Sequence, residues 1–284
     1  MTQPDAPIRN VSDTAAWAAW FRALESKRPD ALFRDPYAER LAGERGARIV
    51  SASPRRAKEA WAWTARTVAF DELLRAELQQ GTDLVVNLAA GLDARPYRME
   101  LLPELRWVEV DMPALLDAKE QALAGERPRC RLERVRLDLA DRPARRQLFA
   151  RLASEAKRAV VISEGLLIYL DRAQVGELAS DLHAVPTFQR WLVDLVSPGL
   201  LERMTKVVGD QLQAAQALFR FGPPEGPEFF VPFGWRPRAV RSLLKTAASH
   251  RRLPFLLRLV ALLPEPPRPQ GKRPWSAVCL LGRD

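Results

Sequence analysis

Hydrophobic and polar positions along the chain alternate between two periods. Thr14 to Leu24 places Trp17, Trp20, Phe21 and Leu24 on one helical face, which predicts an amphipathic helix lying over something apolar. A second short helix is expected from Asp35-Pro36. Ala57 to Leu78 reads as a longer helix with Trp61, Val68, Leu73 and Leu74 inward. Short apolar runs follow near 84–89, 106–110, 132–137, 159–163 and 191–196, and Ala277 to Leu281 makes a last one. Helical stretches separate most of them. Strands that alternate with helices predict right-handed crossovers and a largely parallel α/β sheet.

The stretch from Asp83 to Asp111 carries the first chemistry. Leu84 to Ala90 is a buried-strand pattern that stops at Gly91, and Trp107-Val108-Glu109-Val110 closes on Asp111. Such a unit is the front half of a nucleoside-binding fold: the glycine admits a ligand to the backbone, and the acid holds ribose hydroxyls. The 20-position separation of Gly91 and Asp111 suits that geometry. A plainer reading makes Gly91 a strand end and Asp111 a helix cap ahead of Pro113. A dinucleotide pyrophosphate would want several glycines. Here one glycine is followed within two positions by Asp93, and a carboxylate repels phosphate but suits an ammonium or a sulfonium. That combination points to S-adenosyl-L-methionine (SAM).

Asp138 follows the third apolar run. A carboxylate there can accept from an adenine amino group, while the Leu139 N–H serves a ring nitrogen and its side chain packs on the base. Glu164 ends the fourth run beside Gly165, at the sheet's carboxyl edge where ligands of such folds bind.

Asn87 to Arg98 (N-L-A-A-G-L-D-A-R-P-Y-R), Leu105 to Lys119 (L-R-W-V-E-V-D-M-P-A-L-L-D-A-K) and Ile162 to Leu170 (I-S-E-G-L-L-I-Y-L) together resemble the leucine carboxyl methyltransferase family. Val11 to Ala15, Asp35 to Ala38 and Ala65-Arg66-Thr67 look like the N-terminal signatures of its bacterial branch of SAM-dependent O-methyltransferases. The resemblance runs from about Val11 to the terminal strand. It implies a class I SAM-methyltransferase fold: a Rossmann-like sheet, mostly parallel with a closing antiparallel strand, under an N-terminal helical lid. It further implies that Arg66 pairs with the SAM carboxylate and that Glu164 lies near the methionine part, with Gly165 leaving room. Ala89 and Met112, flanking the glycine turn and Asp111, complete the expected cofactor set. Arg95 and Tyr169 are candidates for the substrate side.

The domain expectation is one methyltransferase unit over 1–284, with a lid region at 1–80, a SAM-binding core at 81–200, a variable insert at 201–235 and closing helix and strands at 236–284. Residues 1 to about 30 are expected to cover the cofactor. Gly222 to Gly234 reads as a loop or lid whose Phe229, Phe230 and Phe233 wall an apolar portion of a substrate. Leu253 to Leu263 is apolar almost all round, and a core-packing helix is favoured over one lying in a membrane interface.

Composition narrows the partners. No apolar segment is long enough to span a bilayer, Met1 to Asp5 lacks signal-peptide character, and Cys130 and Cys279 suggest neither a pair nor a metal site. A cytoplasmic protein with no metal and no membrane partner is expected. The net charge of +9 raises nucleic acid as a partner. The basic residues are mostly arginines, scattered and not interleaved with aromatics, so none is expected. Methyl transfer is an in-line displacement governed by alignment, and only His183 and His250 could serve as histidine bases. That scarcity favours an acceptor already ionised, a carboxylate on a small molecule or chain end. A polyketide-type phenol is the alternative acceptor. An NAD-dependent oxidoreductase lacks its glycines here, and a non-catalytic SAM-fold binder would be expected to lose the strand-end acids.

Overall fold

The computed structural model describes residues 11–51, 60–214, 218–265 and 271–283. Seven strands form one sheet in the order β3-β2-β1-β4-β5-β7-β6. They are β1 Leu84–Leu88, β2 Arg106–Asp111, β3 Arg131–Arg136, β4 Ala159–Ser163, β5 Phe188–Val196, β6 Trp235–Ser242 and β7 Ser276–Arg283. The first five run parallel, and β7 enters antiparallel between β5 and β6. The switch in strand order falls between β1 and β4, so a crevice opens beyond their carboxyl ends. β1 and β4 are buried at every position, as central strands covered on both faces must be. β6 carries three arginines and Pro237. An edge strand tolerates both, because one side of its ladder needs no partner.

Helices cover both faces: α1 Val11–Ser26, α2 Ala38–Ser51, α3 Ala60–Gln79, α4 Arg95–Arg98, α5 Pro113–Ala122, α6 Arg142–Ser154, α7 Arg172–His183, α8 Pro198–Ala214, α9 Leu243–Ser249 and α10 Phe255–Leu262. α1 is longer than its apolar stripe predicted and packs on α2, which kinks at Gly43. Trp17 and Phe21 are buried against Ile49 and Val50, and Phe21 stacks on Trp63 of α3. Of the inward set expected on α3, Val68, Leu73 and Leu74 are buried and Trp61 is half-buried. The first residues of that predicted helix, 57–59, lie outside the described residues, as do residues 1–10 of the predicted cover.

Two expectations fail. Gly226–Phe233 is not a loop but a 3-10 helix whose aromatic side chains enter the core. Phe229 and Phe230 are buried beside Phe221, Trp191 and Trp235, and Phe233 fills the space left by Gly176, where a Cβ would come within 2.8 Å of its ring. Their aromatic surface is spent on packing and cannot wall a substrate. The second failure is α10, in which only Ala261 is buried. Ala261 and a partly buried Leu257 touch the core, and the other apolar residues of the helix face outward.

One buried ion pair fixes the β2–α5 unit. Glu109 of β2 and Lys119 of α5 are both fully buried, with Nζ 2.7 Å from Oε1, and Arg134 Nε donates to Oε2 at 2.9 Å. Removing one partner of such a pair strands the other charge and costs on the order of 3–5 kcal/mol. Lys119→Met is therefore expected to lose up to about that much stability in urea unfolding, while adding Glu109→Leu recovers part of it, Arg134 then keeping Tyr97 as its partner. Equal loss in the single and double variants would count against this role.

Candidate active site

The crevice at the carboxyl ends of β1, β2 and β4 gathers most of the residues expected to bind a ligand. Arg66, Ala89, Gly91, Arg95, Asp111, Met112, Glu164, Gly165 and Tyr169 all line one cleft. Asp138 and Leu139 do not. They stand two and three residues past the end of β3, where Asp138 is exposed and accepts from the Ala140 N–H, and the Leu139 carbonyl accepts from Arg145.

The turn after β1 is tight. Ala89 and Gly91 both take left-handed backbone, with φ of 52° and 50°. The strain at Ala89, about 1–2 kcal/mol for a non-glycine residue, is held in place by the surrounding hydrogen bonds. Gly91 N–H donates to Asp111 Oδ2 and Met112 N–H to Asp111 Oδ1, each at 2.7 Å. Both carboxylate oxygens are thereby aimed, and each keeps a lone pair for a diol. Burial pushes the Asp111 carboxyl above its ordinary value, against the opposing pull of these two N–H groups and of Lys119.

Below the turn sits a charge network not foreseen from the sequence. Arg95, 2% exposed, donates to Asp71 at 2.7 Å and to Asp93 and Glu164 at 2.8 Å each. Burial pulls the Arg95 guanidinium down, but Asp93, Glu164 and Asp71 override it and raise it well above its ordinary value. Burial likewise raises Asp93, yet Arg95, with Lys119, Arg98 and Arg22 beyond it, holds that carboxyl far below the usual range. Arg98 pairs with Asp71 on the other side. Three carboxylates thus engage Arg95 through its Nε and Nη1, and the residue itself lines the cleft. Its ion pairs position these acids.

Arg66 reaches the same cleft from α3. Its Nε is 3.1 Å from Glu164 Oε1, its Nη1 is 3.3 Å from Asp194 Oδ2, and its guanidinium lies over the Trp63 ring. Asp194 also accepts the Gly165 N–H at 2.7 Å. Gly165 takes φ of 67°, and a Cβ there would meet Arg66 Nη1 at 3.4 Å. Burial raises the Asp194 carboxyl despite Arg66 and the Gly165 N–H. Asp71 and Asp194 were missed, although Asp194 is a lone acid in an apolar run, the signal of a paired buried charge; Asp71 stands beside Glu72. Asn87 was missed too; its Nδ2 donates to Asp93 Oδ2 at 2.9 Å.

α1 closes the cleft with Thr14, Ala15, Ala18 and Arg22. Arg22 donates to Asp35 and to the Leu92 carbonyl, which ties the helix to the glycine turn. Tyr169 packs on Phe219, and burial pushes its phenol up although Thr14 hydrogen-bonds it. Neither histidine reaches the cleft: His183 packs on Trp235, and His250 faces Glu72. The donor set suits SAM. Asp111 offers two aimed oxygens, Arg66 and Glu164 offer opposite charges, and two glycines keep the walls low.

This sheet order with an acid at the tip of β2 defines a class I SAM-dependent methyltransferase. The chain belongs to the leucine carboxyl methyltransferase family, whose sequence profile matches residues 15–183. It is 33% identical over 259 residues, 86% of this chain and 82% of the relative, to a protein of Parafrankia sp. (strain EAN1pec) named "Putative S-adenosyl-L-methionine-dependent methyltransferase". A protein of the same name from Streptomyces coelicolor is 35% identical over 211 residues, 67% of this chain and 71% of the relative. Among solved structures, a DUF574 family protein of Streptomyces avermitilis superposes with a TM-score of 0.63 at 13% identity, covering 95% of this chain and 97% of that one. A methyltransferase-like structure from Thermobifida fusca, titled "putative methyltransferase", gives 0.55 at 13% identity with both chains fully covered. SAM is the cofactor.

Two outcomes are expected here. Asp111→Ala removes two charge-assisted hydrogen bonds to a diol, each about 1.5–3 kcal/mol, so SAM affinity measured calorimetrically should fall steeply while circular dichroism stays unchanged. Unaltered affinity would exclude Asp111 as the ribose partner. In the second, amides of α1 should exchange more slowly when SAM is added, since the helix lines the cleft. Identical exchange with and without SAM would show that the helix does not respond to it.

Proposed function

We propose that this methyltransferase acts on a carboxylate oxygen of a small molecule or chain end, without a dedicated protein base. One observation carries the reading: the cleft lining, among the described residues, contains no histidine, its acids Glu164 and Asp93 are tied to arginines, and its third acid, Asp111, is held by the Gly91 and Met112 N–H groups. A site so arranged aligns reactants and offers no group poised to take a proton near neutral pH. A carboxylate acceptor needs none.

When bound, SAM supplies a methyl group on a positive sulfur, which leaves as a neutral thioether. Asp111 would hold the ribose, and Glu164 and Arg66 would fix the methionine portion through opposite charges. Asp138 and Leu139 would meet the adenine at the open rim of the cleft. Arg95 would keep Glu164 and the glycine turn in register. Tyr169 and Trp63 form an apolar wall at the acceptor side. The same wall favours a second reading, a flat phenolic acceptor.

The product distinguishes them. A carboxylate acceptor gives a methyl ester that mild alkali cleaves, and its ionisation leaves the rate nearly flat from about pH 6 to 9, well above a carboxyl pKa near 4. A phenol gives an alkali-stable ether and a rate that climbs toward its pKa. Methyl-labelled SAM offered with a mixed acceptor library, followed by alkali treatment, is expected to release the label. Label that survives alkali overturns the carboxylate reading and supports the phenol.

A further inference from the structure

The charge of this chain is unevenly placed. Residues 236–273 contain ten of its 44 Lys and Arg but only one of its 35 Asp and Glu, Glu265. The remaining 34 basic and 34 acidic residues cancel, so the whole net charge of +9 resides in this one segment. The arginines are scattered along the chain; it is the acids that avoid the segment.

The same segment carries α10, the most exposed apolar element among the described residues. Phe255, Leu256 and Leu262 are 72%, 73% and 79% exposed, and Leu259, Val260 and Leu263 are also exposed. Its eight residues are anchored at both ends and do not hang loose. Arg258 Nε donates to the Leu253 carbonyl at 3.0 Å, and Lys245 Nζ donates to the Ala261 and Leu263 carbonyls at 2.6 and 3.0 Å. Glu265 returns to Ser242 at the end of β6. Exposed Arg241 and Arg251 belong to the neighbouring strand end and turn, and Lys272 and Arg273 are exposed before β7.

We infer that this face docks on an anionic lipid surface, with α10 seated among the acyl chains and the surrounding arginines and lysines against the headgroups. An exposed apolar helix within a cation-rich segment, in which Arg252 is tied to Glu25 and Asp30, matches the two layers of such a surface. A second copy of this chain is a poor occupant, because pairing the faces would bring two segments of +9 together. Nucleic acid would engage the cations but leave the exposed leucines unmatched, and single-strand binders offer stacked aromatics where α10 has only Phe255.

Flotation of the full chain with vesicles tests this. Vesicles of phosphatidylcholine with phosphatidylglycerol should capture it, and phosphatidylcholine alone should capture at least about tenfold less. The triple variant Leu256→Ser, Leu259→Ser, Leu262→Ser changes only exposed side chains. It should lose about tenfold or more of the binding while retaining SAM affinity. Arg241→Glu with Arg251→Glu should weaken capture and flatten its salt dependence. No capture by anionic vesicles overturns the proposal, as does equal capture of the triple variant. Concentration-dependent dimerisation that the triple variant abolishes assigns the face to a second copy instead. Displacement from vesicles by a DNA oligonucleotide, with leucine variants unaffected, assigns it to nucleic acid.

Discussion

The site depends on a cation that no ligand needs to touch. Arg95 follows the glycine turn in a helix of only four residues and is buried beneath it, where an unpaired guanidinium would be intolerable. Its donors divide among three elements: Asp71 on α3, Asp93 in the turn and Glu164 at the end of β4. Each acid is held in the crevice because Arg95 is there, and Arg95 is tolerated because they are. Pairs of this kind contribute little net stability against a hydrophobic replacement. What this one fixes is position. A displacement of the turn would break the bond from Gly91 to Asp111 as well, so the β2 and β4 sides of the cleft move together or not at all.

That arrangement bears on the chemistry available. Acids outnumber cations in the cleft before any ligand enters: Arg66 and Arg95, with Arg98 behind them, meet Glu164, Asp194, Asp93 and Asp71, and Asp111 pairs with backbone N–H groups. Such a site favours a ligand that carries positive charge. It contributes alignment, which for an in-line displacement supplies much of the rate.

Much of this was legible in the sequence, for identifiable reasons. Apolar runs bounded by Gly, Pro and acids marked β1, β2 and β4 because those strands are buried on both faces and tolerate nothing else. β6 lacks that pattern, since an edge strand may carry Arg236, Arg238 and Pro237 without penalty. Gly91 and Asp111 were readable because their spacing follows from one strand, one turn and one helix. Glu109 and Lys119 stood in the same conserved-looking block, yet their function is to pair inside the molecule, and spacing alone does not separate a ligand from an ion pair. Asp71 and Asp194 escaped notice because their partners are remote in sequence, 24 positions from Asp71 to Arg95 and 128 from Arg66 to Asp194. The three phenylalanines of the 226–233 helix misled for the opposite reason. Proline and glycine suggested a surface loop, but the aromatic content was the stronger term, and burial against Trp191 and Trp235 prevailed.

The arginine-rich composition is put to two opposite uses. In the crevice each guanidinium is countered by carboxylates at hydrogen-bond distance, and the low dielectric there makes such pairing obligatory. The segment carrying α10 holds one acid, Glu265, and its Arg252 is tied to Glu25 and Asp30. Arg241, Arg251, Lys272 and Arg273 stay exposed, so their field is long in range and sensitive to salt. A uniform bias in coding would scatter arginines but would not leave a single acid in 38 consecutive residues, 236–273, while balancing 34 against 34 elsewhere. Nor would packing leave most of an anchored helix bare, because burying its leucines against the core would have been the cheaper arrangement. Exposed apolar surface and uncompensated charge each cost the isolated protein solubility or stability. Their coincidence on one segment argues that both are met by the same external phase, one with a charged boundary and an apolar interior.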